Sequence, residues 1–291
     1  MSSTKSVLRL AEQLDRGGRL TRDGSDRLVA AIAQSALVAA EAGCEEVMAF
    51  ATSAVRDATN STSVLRRVQH ETGMTLQVLS GVDEARLTFL AVRRWCGWSA
   101  GRVLAMDIGG GSLELATGID EDPDVALSLP LGAGRVTRDR LRLTQDPPGR
   151  ARLDELRQWL DAELAPAAQQ LADRGRPDRV VATSKTFRSL ARLTGAAPST
   201  AGPMVRRVLT ASGLRQLISF ISRMSTADRA ELDGVSAARS HQLVAGAMVA
   251  EASMRALAVE ELEICPWALR EGVILRRLDA ASGDDLRGGL R

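Results

Sequence analysis

Met106-Asp107-Ile108-Gly109-Gly110-Gly111-Ser112-Leu113-Glu114 lies between Arg102-Val103-Leu104-Ala105 and Leu115-Ala116-Thr117-Gly118. An apolar run enters a glycine triplet, and apolar and polar residues alternate again beyond Ser112, which is the pattern of strand, tight turn and strand. Glycines let consecutive main-chain N–H groups turn inward and let an anion approach without meeting a Cβ, so the turn is a candidate phosphate nest. Asp107 and Glu114 bracket it. Carboxylates beside a phosphate are unfavourable unless they hold a cation or handle a proton, so the pair points to a metal-assisted phosphate site. The local alternative is a hairpin turn with flanking surface acids. A Walker loop would end in Gly-Lys-Ser/Thr and open a helix, as would a dinucleotide fingerprint; here a strand follows.

The 291 residues suffice for two domains of ordinary size or one large one. Hydrophobic content of 45% with 25% charged residues is that of a soluble globular protein. The 38 basic and 36 acidic residues leave a formal charge of only +2, so nothing in the bulk electrostatics favours nucleic acid or membrane, and phosphate recognition has to be local. Three widely spaced cysteines, Cys44, Cys96 and Cys265, never form a CxxC, which argues for a reducing compartment and against structural zinc. His70 and His241 are too few for a histidine metal site, and aromatics at 3% make a base-stacking platform improbable. No membrane-length apolar run or signal-peptide pattern is present, so a cytoplasmic location is expected.

Residues 5–15 and 22–42 have helical periodicity, and 45–51 reads as a short strand. A helix carrying Arg56 starts at Thr52 or Ser53, and another runs from Asn60 to Gly73. Strand 76–79 and a capping box at Ser80-Gly81-Val82-Asp83 introduce the helix of Arg86, Phe89, Val92 and Trp95. After a seam near residues 96–101 come the hairpin, a third strand at 125–129 and a turn at 131–135, an antiparallel meander. A long helix over 148–173, a buried strand at 179–182, a helix opened by Thr183-Ser184, and a mostly helical remainder with a strand at 261–264 follow. The tail from Ser282 reads as frayed.

Several residues carry two readings. Glu84, in a first helical turn after a strand, serves the helix dipole or acts as a general base. Thr52, Ser53 and Arg56 form a capped helix or an anion site, and Lys185 after Thr183-Ser184 has the same two options. Arg239 and His241 read most simply as surface residues, and Trp95, Trp98 and Trp267 as packing residues.

The hairpin geometry resembles the phosphate hairpins of the actin, sugar-kinase and heat-shock-ATPase superfamily. Together with Ala51-Thr52-Ser53-Ala54-Val55-Arg56-Asp57-Ala58-Thr59-Asn60, Ser80-Gly81-Val82-Asp83-Glu84-Ala85-Arg86-Leu87, Thr183-Ser184-Lys185-Thr186-Phe187-Arg188 and Leu269-Arg270-Glu271-Gly272-Val273, the chain resembles the exopolyphosphatase / guanosine pentaphosphate phosphohydrolase family over roughly residues 5–280. The resemblance implies an α/β protein of two actin-like, ribonuclease H-like domains, 1–97 and 98–280, with an interdomain cleft and a flexible tail at 281–291. It implies Glu84 as the catalytic base, Asp107 and Glu114 as Mg²⁺ carboxylates, and Gly109, Gly110, Gly111 and Ser112 as a phosphate loop, with Arg56 and Lys185 along the phosphate path. The family's first phosphate loop, a β-hairpin ahead of the segment near Lys5, has no counterpart, so the first domain is expected to lack that hairpin. The implied activity is Mg²⁺-dependent release of terminal phosphate from polyphosphate or guanosine pentaphosphate, with a homodimer as the assembly. Arg93, Arg94, Arg135, Arg138, Arg188 and Arg192 are available to a polyphosphate channel or to solvated helix faces. Two further readings are a catalytically impaired polyphosphate- or nucleotide-binding protein, and a kinase or chaperone ATPase on the same architecture.

Overall fold

A computed structural model describes residues 6, 8–15, 17–141 and 145–288, with 283–288 as backbone only. The chain divides into two compact units, Met1–Ser80 and Gly81–Arg291. The division falls after Ser80 rather than after Gly97.

In the first unit, α1 (Arg22–Glu41) starts at Thr21, whose side chain accepts from the Gly24 N–H. β1 (Ala49–Ala51) leads into the single turn α2 (Ser53–Arg56). α3 (Ser61–Thr72) stops at Gly73, which takes the left-handed φ of 69° that glycine tolerates. β2 (Leu76–Val78) pairs parallel with β1 as a two-stranded sheet. Leu20, Leu28, Val29, Val55, Val64, Val68 and Leu76 form the core. The helix expected over 5–15 is only a 3₁₀ turn at Leu10–Gln13 among the described residues. Asp15 ends it, because its carboxylate accepts from the N–H groups of Gly17 and Arg19 and turns the chain back so that Leu14 bridges Leu20. The strand expected over 45–51 keeps only its last three residues, since β2 is itself just three residues long.

The second unit begins with α4 (Gly81–Cys96) and continues through the meander β3 (Val103–Ile108), β4 (Leu113–Gly118) and β5 (Val125–Leu129). Next come α5 (Ala133–Val136), α6 (Arg150–Ala172), β6 (Arg179–Thr183) and α7 (Ser184–Leu193). β7 (Val208–Thr210), α8 (Ala211–Ile221), α9 (Thr226–Ala230), α10 (Leu243–Ala256), β8 (Glu261–Ile264) and α11 (Leu269–Gly288) complete it. The sheet order is β5-β4-β3-β6-β8-β7; β3, β6 and β8 run parallel, and the remaining pairings are antiparallel. β7 escaped the sequence reading because three residues running straight into a helix leave no alternation to detect. The backbone of α11 is helical to Gly288, so the part of the expected frayed tail from Ser282 to Gly288 continues that helix, and 289–291 lie outside the described residues.

Period-two alternation divides the sheet into two faces. Leu104, Met106, Ile108, Leu113 and Leu115 point into the larger core, with Leu160, Leu164, Leu190 and the buried side of α10. Val103, Ala105, Ala116 and Val181 form the other face with Phe89 and Val92 of α4. Small residues on that face let α4 lie close to the strands. α4 in turn packs against α11, and Arg94 ties the pair by donating to Asp279 of α11 and Glu121. The crossing is so close that a Cβ placed on Gly272 would sit 1.9 Å from the Leu87 carbonyl oxygen. Gly272→Ala is therefore expected to push α11 off α4 and to lower the Tm of thermal unfolding by roughly 5 °C or more, readable by calorimetry.

Candidate active site

The face shared with α4 ends in polar residues. Following Val103 and Ala105 along β3 leads to Asp107; across β4 its register partner is Glu114, and across β6 it is Thr183. Alternation thus delivers Asp107 and Glu114 to the α4 side, at the carboxyl ends of the parallel strands β3 and β6, where open α/β sheets hold their ligands. Glu84, in the first turn of α4, is buried and close enough for its charge to act on Asp107. The three carboxylates therefore belong to one unit, and Glu84 reaches the hairpin from a helix packed on the hairpin's own sheet.

The glycine turn is tight. Gly109 N–H donates to the Ser112 carbonyl at 2.9 Å. The carbonyls of Gly109 and Gly110 are taken by the N–H groups of Ala133 and Arg135 in α5, at 3.0 and 2.9 Å. With those oxygens turned toward α5, the N–H groups of Gly110, Gly111 and Ser112 donate to no acceptor among the described residues. Three successive free donors are what an anion nest requires. The positive-φ glycines lie elsewhere, at Gly73 and Gly97 for instance. Close approach is the constraint here: a Cβ on Gly132 would lie 2.3 Å from Ser112 N.

Electrostatics mark the same place. Glu114 is buried and accepts from Ser128 Oγ at 2.8 Å. Burial pushes Asp107 up to about 7, Glu114 and Glu84 add to the rise, and Arg188 and the nearby Ser184 hydroxyl oppose it. A carboxyl group so placed costs stability, which functional sites tolerate and ordinary packing avoids. Hard oxygen donors suit Mg²⁺, an ion that takes one or two carboxylates and completes its shell with water and substrate phosphate. Asp107 and Glu114 fit that requirement. No group of three or more His, Cys, Asp or Glu side chains among the described residues is placed to hold a metal ion, so a cation here would take at most the two carboxylates and complete its shell with water and phosphate.

The basic residues belong to different units. Lys185, in the first turn of α7, lines a small groove with Ser236, Arg239 and Gln242. Gln242 in turn approaches the turn's support, its Nε2 standing 3.2 Å from where a Gly134 Cβ would be. Nothing in the sequence signals that Arg239 and Gln242 line this groove, because their 3₁₀ segment, Ala237–Gln242, has no local signature. Arg56 belongs to the first unit, where it donates to Asp57 at 3.0 Å and to the Leu79 carbonyl at 3.2 Å. Neither Thr52 nor Thr183 makes a side-chain cap; Thr183 Oγ1 instead donates to the Trp267 carbonyl at 2.7 Å.

A three-stranded meander extended by parallel strands, covered by helices on both faces and carrying a glycine turn between carboxylates, defines an actin-like domain. Residues 1–281 match the Ppx/GppA phosphatase family. Exopolyphosphatase 1 of Mycobacterium tuberculosis is 66% identical over 280 residues, 96% of this chain and 81% of that protein. Exopolyphosphatase 1 of Mycobacterium leprae is 64% identical, over 96% of this chain and 82% of that protein. In fold, the chain is similar to an exopolyphosphatase from Cytophaga hutchinsonii, with a TM-score of 0.81 at 23% identity over 92% of this chain and 87% of that one. A Ppx/GppA family member from Aquifex aeolicus gives 0.76 at 24% identity, over 95% and 88%. The chain belongs to the Ppx/GppA phosphatase family.

Two measurements test the site. Because Asp107 holds its proton more tightly folded than unfolded, its contribution is neutral below about pH 4 and becomes increasingly destabilising as pH rises toward 7, by roughly 2–4 kcal/mol in all. Asp107→Asn should therefore raise the Tm of divalent-free protein by several degrees at pH 8 and change it little at pH 4. Gly132→Ala should force the glycine turn outward and lower phosphate affinity at least tenfold by isothermal titration, with the far-ultraviolet circular dichroism unchanged.

Proposed function

We propose that this chain is an exopolyphosphatase that removes terminal phosphate from inorganic polyphosphate, with Mg²⁺ at Asp107 and Glu114 and Glu84 as the base. The observation that carries the reading is the arrangement of three carboxylates, Glu84, Asp107 and Glu114, on one sheet face beside a turn with three free N–H donors. The relatives named exopolyphosphatase support the same substrate.

Phosphoanhydride hydrolysis needs a positioned water, neutralised phosphoryl oxygens and in-line geometry. The N–H groups of Gly110, Gly111 and Ser112 hold the terminal phosphoryl group by its oxygens. Glu84, held by α4 on the carboxylate side of the sheet, accepts a proton from the water as its oxygen bonds to the terminal phosphorus. The anhydride P–O bond then breaks and the shortened polyphosphate leaves with the bridging oxygen. Mg²⁺, when bound, supplies charge neutralisation on the phosphoryl oxygens. Lys185 and Arg239 offer cationic charge to the remainder of the polyanion. Guanosine pentaphosphate presents the same terminal anhydride and is the comparison substrate.

Phosphate release from polyphosphate should be readily measurable with Mg²⁺. Glu84→Gln should lower kcat by at least a hundredfold with KM little changed, the loss expected for removal of a general base. Full activity in that variant would displace Glu84 as the base, and a parent chain that releases no phosphate would overturn the reading as a whole.

A further inference from the structure

At the end of the second unit's sheet away from Asp107 and Glu114, a cavity of about 500 Å³ opens beside the C-terminal ends of α6 and α10. That volume is in the range of sites for small organic molecules. Leu104, Thr117 and Leu171 are buried and form its floor, while Gly175, Arg176 and Ala258 are exposed and form its mouth. The floor has no hydrogen-bond donor to offer. Thr117 gives its hydroxyl proton to the Val103 carbonyl at 3.0 Å. The last carbonyls of both helices are capped as well: Leu171 and Ala172 accept from Arg174 and Gly175, and Met254 and Arg255 from Val259 and Ala258. Such walls suit a hydrocarbon chain, whereas an inserted peptide backbone would find no partner for its carbonyl groups.

The mouth differs in character. Arg176 lines the cavity and makes no hydrogen bond or ion pair among the described residues. The neighbouring acids are engaged elsewhere, Asp173 with the Gln169 amide and Asp178 with the Arg102 N–H. A guanidinium with unused donors beside an apolar floor is the complement of a carboxylate on a hydrocarbon chain. Ala258 ends α10 with a left-handed φ of 52°, where helices usually take glycine, and so adds a methyl group to the rim.

We propose that this cavity binds a small amphipathic acid, a free molecule with a single alkyl chain and a carboxylate, its chain against Leu104 and Leu171 and its head group on Arg176. Titration calorimetry of the intact chain with decanoate below its micellar concentration tests the site. Decanoate should bind once per chain, and octanoate about fivefold or more weakly, because each buried methylene is worth about fourfold in affinity. Decyltrimethylammonium, with the same chain and the opposite charge, should bind about tenfold more weakly than decanoate. Arg176→Ala should remove that preference and weaken decanoate about tenfold. Ala168→Trp, which fills the cavity from α6, should abolish binding; if it does not fold, Arg176→Ala, in an exposed loop, decides alone. Parental decanoate affinity in either folded variant would overturn the proposal, as would equal affinity for the two head groups or no decanoate binding to the parent. A chain that ignores decanoate but sediments as a dimer, and as a monomer once Ala168→Trp is introduced, would give the cavity to a second copy instead.

Discussion

The register of β3 against β4 is the constraint on which the site depends. Because side chains alternate with a period of two, the pairing of Asp107 with Glu114 also commits Met106, Ile108, Leu113 and Leu115 to the opposite face. A slip of one residue would drive a carboxylate into a leucine-rich core and turn methionine toward the ligand. The short turn from Gly109 to Ser112 prevents the slip, and α5 clamps the turn by taking its carbonyls. One loop therefore sets the register, frees three consecutive N–H donors and separates acid from core.

The same sheet shows how an edge of buried carboxylates is supported. Ala105, Ala116 and Val181 are small, so α4 can approach and bring Glu84 alongside Asp107. Stability comes from the other face, where bulky residues meet α6, α7 and α10. Three carboxylates gathered on the thin face are held against their mutual repulsion by the thick one. This division of labour lets the polar edge be energetically unfavourable in isolation without endangering the fold.

Much of this was legible in the sequence, for identifiable reasons. Glycines between alternating runs announce a hairpin, and the bracketing acids announce their shared face, because register follows from turn length. The strands at 103–108, 113–118, 125–129 and 261–264 were readable from apolar runs bounded by turn residues. What sequence could not supply was the company that α4 keeps. A helix following the first unit's last strand reads as part of that unit, yet Phe89 and Val92 bury against strands that come later in the chain. Ser184 was equally opaque, since nothing in Thr-Ser-Lys-Thr declares its left-handed φ of 83°. Arg239 is exposed, as expected of a surface residue, and its place beside Lys185 follows from the approach of a 3₁₀ segment to α7, a tertiary fact with no local trace.

The contact between α4 and α11 has a bearing on biosynthesis. Arg94 and Asp279 are separated by 185 positions, and the glycine that allows the crossing, Gly272, lies within α11. The helix that carries Glu84 leaves the ribosome early and must wait for one of the last segments to be translated before its outer side is covered. Until then its packing surface stands open to solvent and to chaperones. The carboxylate edge is consequently a late product of folding, completed when the final helix closes over the back of the helix that bears the proposed base.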